Sequence, residues 1–138
     1  MSLPLLWQLS RFSAVEQAAL TIAALLIVAT MCVHSILGQR RLIRPLLDQS
    51  GGIMQRPLAR FIVPFAWHLT SLIGLVLAAI LFAWAWAPES ARSIGLALAG
   101  AVFSAAGIWD AIGSRGQHVG WPPLTLIGLA CLAALILS

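Results

Sequence analysis

Charge is the first thing this chain is short of. Only 9% of its 138 residues are charged, against about a quarter in an average soluble domain. That shortage excludes an ordinary water-soluble fold, which needs a polar surface to cover its core. Lysine is missing altogether, and all eight basic residues are arginine. In an Ala- and Leu-rich chain this reflects a GC-rich genome rather than nucleic-acid chemistry, and no nucleic-acid partner is expected. Cysteine is scarce: Cys32 and Cys131 both fall inside apolar runs, where cysteine serves as a small apolar side chain rather than as part of a disulfide framework. The alternating segments of about ten residues that would build a membrane barrel are also missing. No convincing small-x-small cleavage site follows the first apolar run, and Arg11 alone would form its charged flank, so a removable signal peptide is not the reading adopted.

What the chain has instead is apolar length. Hydrophobic residues make up 61%, and the mean hydropathy is +0.98. They are gathered into runs near the ~20 residues that cross a bilayer as helix. Helices are the default spanning element because each satisfies its own backbone hydrogen bonds. Four spans are expected, near residues 14–37, 58–87, 93–113 and 121–138, forming one all-α transmembrane domain, a four-helix bundle, over 1–138. The first thirteen residues, with Pro4, Trp7 and Arg11, are expected at the interface. Residues 39–60 form the one long polar segment. There Leu42, Ile43, Leu46 and Leu47 alternate with Arg40, Arg41 and Arg44 at helical spacing, which predicts a short amphipathic helix lying on the membrane. The third run is rich in Gly and Ala, which predicts close helix packing along much of its length. The six tryptophans read mostly as interfacial anchors. Trp67 and Trp109 lie deeper and are candidates to wall a pocket.

Six of the eight arginines lie in segments 39–60 and 114–120, on one side of this arrangement. The positive-inside rule puts that side in the cytoplasm and both termini outside it. A bacterial inner membrane is the expected location.

Ionisable residues inside a bilayer are costly and tend to face the bundle interior, paired or functional. His34, His68 and Asp110 fall roughly 9, 12 and 7–8 Å inside the arginine boundary at the helical rise, and His118 sits in the turn above them. Neutral imidazoles beside a carboxylate suit Zn, Fe, Mn or Cu. Two histidines at equal depth on facing helices suit haem b. A histidine next to a carboxylate also suits a proton relay. The metal set expected is His34, His68, His118 and Asp110, with His34 and His68 as core or haem ligands. The plain alternative is interhelical hydrogen bonding by the histidines, with Asp110 pairing to Arg115 or Arg60. No two histidines share a helix, so no compact H-x-x-H or H-E-x-x-H spacing exists.

The segments His34-Ser35-Ile36-Leu37-Gly38, Trp67-His68-Leu69-Thr70-Ser71 and Arg115-Gly116-Gln117-His118-Val119-Gly120-Trp121-Pro122 resemble those of a family of small four-helix bacterial inner-membrane proteins. The resemblance spans most of the chain. It implies the same topology and highlights the same three histidines, without implying a reaction. That family often carries an acidic residue after the H-S-x-L-G segment, where this chain has Gln39. The functional expectation is redox or metal-assisted chemistry on a lipid-soluble substrate. The alternatives are a non-catalytic accessory or assembly subunit of a membrane complex, or a small transporter working as a homo-oligomer.

Overall fold

The structure is a computed structural model and describes residues 12–49 and 51–137. The expected interfacial segment at the N-terminus lies outside them. All regular structure among the described residues is helical, with four main helices: α1 Ala14–Gly38, α2 Pro57–Trp86, α3 Pro88–Gly113 and α4 Trp121–Ile136. Three helical stretches, Ala14–Leu47, Pro57–Trp86 and Pro88–Gly113, are long and apolar enough to cross a membrane. At 16 residues, α4 reaches about 24 Å, short of the ~30 Å hydrocarbon core.

Local chemistry explains the helix ends. Ser13 caps α1 in a reciprocal box: its hydroxyl accepts from the Glu16 N–H at 3.3 Å, and the Glu16 carboxylate accepts from the Ser13 N–H at 2.8 Å. Two free donors at the helix start are thereby satisfied. Pro57 and Pro88 begin α2 and α3, where a missing N–H costs nothing. α3 therefore starts at Pro88 rather than near Ser93, because the polar residues after Pro88 form its first turn instead of a loop. Only Ala87 separates it from α2.

The basic segment differs from expectation. It does not leave the first span as a separate surface helix. α1 runs on through a π turn, Gln39–Ile43, into a further helical turn, Arg44–Leu47. Within it the Arg44 N–H bonds to the Gln39 carbonyl five residues back. Pro45 gives the reason: its ring presses on the carbonyl four residues earlier, and a wider turn relieves that contact. The connection then returns through a 3-10 turn, Gly52–Gln55. Arg60 ties it down, donating from Nη1 to the carbonyls of Leu47 at 2.7 Å and Met54 at 3.4 Å.

Extensive helix packing follows chain order: α1 on α2, α2 on α3, α3 on α4. The helices thus form a row, and α1 and α4 share no contact of comparable extent. The glycines of α3 are spent within the chain. A Cβ at Gly95 would press on Ile80, at Gly100 on Leu132, at Gly107 on Thr125 and at Gly113 on Phe61.

Candidate functional site

The polar residues of the spans sort into two pairings and one groove. The first pairing joins α1 to α2. His68 receives its two bonds from α1 and from the π turn that continues it: Nδ1 meets Ser35 Oγ at 2.7 Å, and Nε2 meets Gln39 Oε1 at 3.1 Å. Gln39 Oε1 can only accept. The ring therefore carries its proton on Nε2 and accepts the Ser35 hydroxyl at Nδ1, and one neutral tautomer satisfies every partner. Ser35 and Gln39 are four residues apart, on one helix face. Next to this, the His34 ring stacks on Trp67, with centroids 4.1 Å apart and planes 7° from parallel. The Trp67 indole N–H donates to the His34 carbonyl at 3.1 Å. Gly38 lies against that indole, with no room for a Cβ. The resembling segments H-S-x-L-G and W-H are thus each other's packing partners. His34 Nε2 is buried and has no hydrogen-bond partner.

The second pairing closes α3 on the turn before α4. Asp110 is completely buried. Its Oδ2 accepts from His118 Nδ1 at 2.6 Å, while Oδ1 has no partner. The His118 side chain is 29% exposed, and its contact with Asp110 runs through Nδ1. Asp110 therefore pairs with His118 and not with Arg115 or Arg60. The turn is built for this contact. The His118 N–H donates to Ser114 Oγ at 3.3 Å, and a Cβ on Gly120 would come within 2.5 Å of His118 and 3.1 Å of Asp110 Oδ2. The end of α3 is a Schellman turn, in which the Gly116 N–H reaches the Ala111 carbonyl at 2.8 Å and the Arg115 N–H reaches Ile112 at 3.2 Å. Arg115, at φ +54°, occupies the left-handed position that glycine usually fills.

The four expected metal donors are not gathered into one ligand set. Among the described residues no group of three or more His, Cys, Asp or Glu is placed to hold a metal ion. Both ring nitrogens of His68 are already bonded. A haem held by His34 and His68 would have to break those bonds and the Trp67 stack. Cys32 and Cys131 are free thiols.

The groove lies between α2 and α3 and has a volume of about 690 Å³. Phe61, Phe65 and Leu69 line one wall; Ala101, Ala105 and Trp109 line the other. His68 is the only ionisable lining side chain. Trp109 thus walls a cavity as expected of it, whereas Trp67 is taken up by His34. The aromatic residues four apart on α2 and the alanines four apart on α3 were the available sequence signal for this groove. Ser35 and Gln39, also four apart, were the signal for the seat of His68.

Together these features describe an all-helical protein with three helices fit to cross a membrane. No protein-family model matches the chain, no curated protein is similar to it, and no solved structure resembles it.

Proposed function

We propose that this is a multi-pass bacterial inner-membrane protein that binds a lipid-soluble molecule between α2 and α3. The observation that carries the reading is the groove: its volume of about 690 Å³ falls within the roughly 300–1,000 Å³ of small-molecule sites. Its wall is apolar apart from His68, which Ser35 and Gln39 hold in one orientation. A largely apolar site with a few fixed polar groups is the usual design for such ligands. In this reading all four helices lie in the bilayer, the arginine-rich segments face the cytoplasm and both termini face away from it. The test is photolabelling of the reconstituted protein with a diazirine-bearing alkyl probe. Label should concentrate on Phe65, Leu69 and Ala105. Ala105→Phe, which fills the groove, should reduce it about tenfold, as loss of a buried site would. Label spread evenly over lipid-facing residues and indifferent to Ala105→Phe would end the reading.

A second reading, proton relay, is favoured by the His118–Asp110 pair. A buried carboxylate fixes the imidazole through Nδ1, and a carboxylate–imidazole pair of this kind is a proton-transfer device. Proton flux into proteoliposomes, followed by a trapped pH-sensitive dye, tests it. His118→Gln preserves a hydrogen bond to Asp110 but cannot carry a proton and should abolish flux. Equal flux in both proteins would rule the relay out.

A further inference from the structure

We infer that the ligand of the α2–α3 groove is an anionic phospholipid, with its acyl chain between the helices and its phosphate at Arg115 and Arg60. The inference rests on the groove being a ligand site and adds the class of the ligand. Phe61 lies over Gly113 so closely that no Cβ would fit there, and this contact marks one end of the groove. Arg60 directly precedes Phe61, and Arg115 follows Gly113 by two residues. One arginine thus stands beside that contact on α2 and the other just after α3.

The two arginines differ in how they are held. Arg60 is anchored, with Nη1 shared between the carbonyls of Leu47 and Met54. A guanidinium has five N–H donors in a fixed fork, so donors remain for an anion. Arg115 is exposed and, among the described residues, its side chain makes no hydrogen bond or ion pair. Its backbone is in the left-handed region, which disfavours any residue with a Cβ. Glycine would suit the position better, and the next residue, Gly116 at φ +74°, shows what the turn prefers. The arginine thus adds backbone strain without an internal contact in return. A phosphate beside the Phe61–Gly113 end of the groove supplies the missing partner, since arginine forks match phosphate oxygens geometrically.

Charge on the neighbouring α1–α2 connection agrees. Arg40, Arg41, Arg44 and Arg56 are exposed on the connection that Arg60 holds down, and Asp48 is the one carboxylate between positions 39 and 60. Asp110, close to Arg115 in sequence, is buried and already paired with His118. A cluster of four to eight arginines beside a spanning helix is the recognised signature for anionic lipid headgroups. A soluble phosphate would use the arginines but leave the apolar groove without an occupant, and this favours a lipid.

The test uses the full chain, delipidated in detergent and titrated with phosphatidylglycerol, with phosphatidylcholine of the same acyl chains, and with inorganic phosphate. Binding is read by native mass spectrometry. Phosphatidylglycerol should bind about tenfold more tightly than phosphatidylcholine, the size expected of a charge-assisted hydrogen bond. Arg115→Gly should bring it down to the phosphatidylcholine level while the melting temperature stays level or rises. Arg115→Lys should retain part of the preference. Equal affinity for the two lipids, an unchanged preference in Arg115→Gly, or inorganic phosphate binding as tightly as phosphatidylglycerol would each overturn the headgroup assignment. Ala105→Phe tells that failure from a failure of the groove itself: both lipids should be lost, and if both still bind, the groove is not the ligand site.

Discussion

The two faces of α3 solve the same packing problem in opposite ways. Toward α4, Gly100 and Gly107 let backbones approach until Leu132 and Thr125 touch the helix itself. Gly128 of α4 returns the favour, lying against Ser104. Toward α2, Ala101, Ala105 and Trp109 face aromatic and aliphatic side chains across an open groove. For helices placed in lipid, as proposed, joining apolar faces brings no hydrophobic gain, and close van der Waals contact between small residues is what would hold them. The α3–α4 seam has that contact along its length. In the α2–α3 seam the close glycine contacts lie toward the ends, at Ile80 with Gly95 and at Phe61 with Gly113. One face is a joint and the other is a space.

Gly107 and Ala105, two residues apart, put that contrast at risk most directly. Gly107→Leu would drive a side chain into the Thr125 backbone, where even a Cβ would sit 2.6 Å from the nitrogen. The loss should be about 3 kcal/mol or more, at the upper end of overpacking costs, seen as a fall in the detergent melting temperature or in folded yield. The His118–Asp110 pair comes next, and the two deletions should differ. His118→Ala abandons a completely buried carboxylate and should cost about 3 kcal/mol. Asp110→Ala leaves a partly exposed imidazole, which water can serve, and should cost about 1–2 kcal/mol. Denaturant melts of the two variants read the asymmetry, and equal losses would mean that water already reaches Asp110. Smaller still are Ser35→Ala and Gln39→Ala, at about 0.6 kcal/mol each, the mean for interhelical hydrogen bonds in membranes. Each removes one bond to His68, so a double-mutant cycle should reveal coupling through the shared ring. The least effect belongs to Ala105→Leu: the groove has room, and stability should move by under about 1 kcal/mol. If Ala105→Leu proved as harmful as Gly107→Leu, the groove would not be a space at all.

Much of the fold was legible because hydropathy and helix length are strong local signals. The apolar runs located the four helices, and Gly and Ala marked α3 as a tightly packed element. The basic segment was misjudged because periodicity cannot tell a helix that lies on a membrane from one that continues out of it. The π turn that separates these outcomes depends on Pro45 and the geometry around it. For the site, similar depth did place His34 level with His68, and Asp110 near His118. It could not give rotation about the helix axis. Rotation turned His34 onto Trp67 and His68 onto Ser35 and Gln39, and it directed Asp110 toward the α4 side. A common level along the helices is therefore not a common site. Gln39 drew notice only as a departure from an acidic residue, yet it is the acceptor that sets the tautomer of His68.

The row of helices carries a consequence for how the chain is made. Each helix finds its main packing surface on the one synthesised just before it, so no early segment has to wait for a late one. The α2–α3 and α3–α4 connections are short, and the entropy lost in closing a loop grows only slowly with its length. Such a molecule can assemble vectorially, α2 docking on α1 through Trp67 and His68 while α3 and α4 are still in the ribosome. The α1–α2 hairpin then becomes the foundation unit of assembly, and damage to its Gly38–Trp67 contact would be felt before the rest of the protein exists.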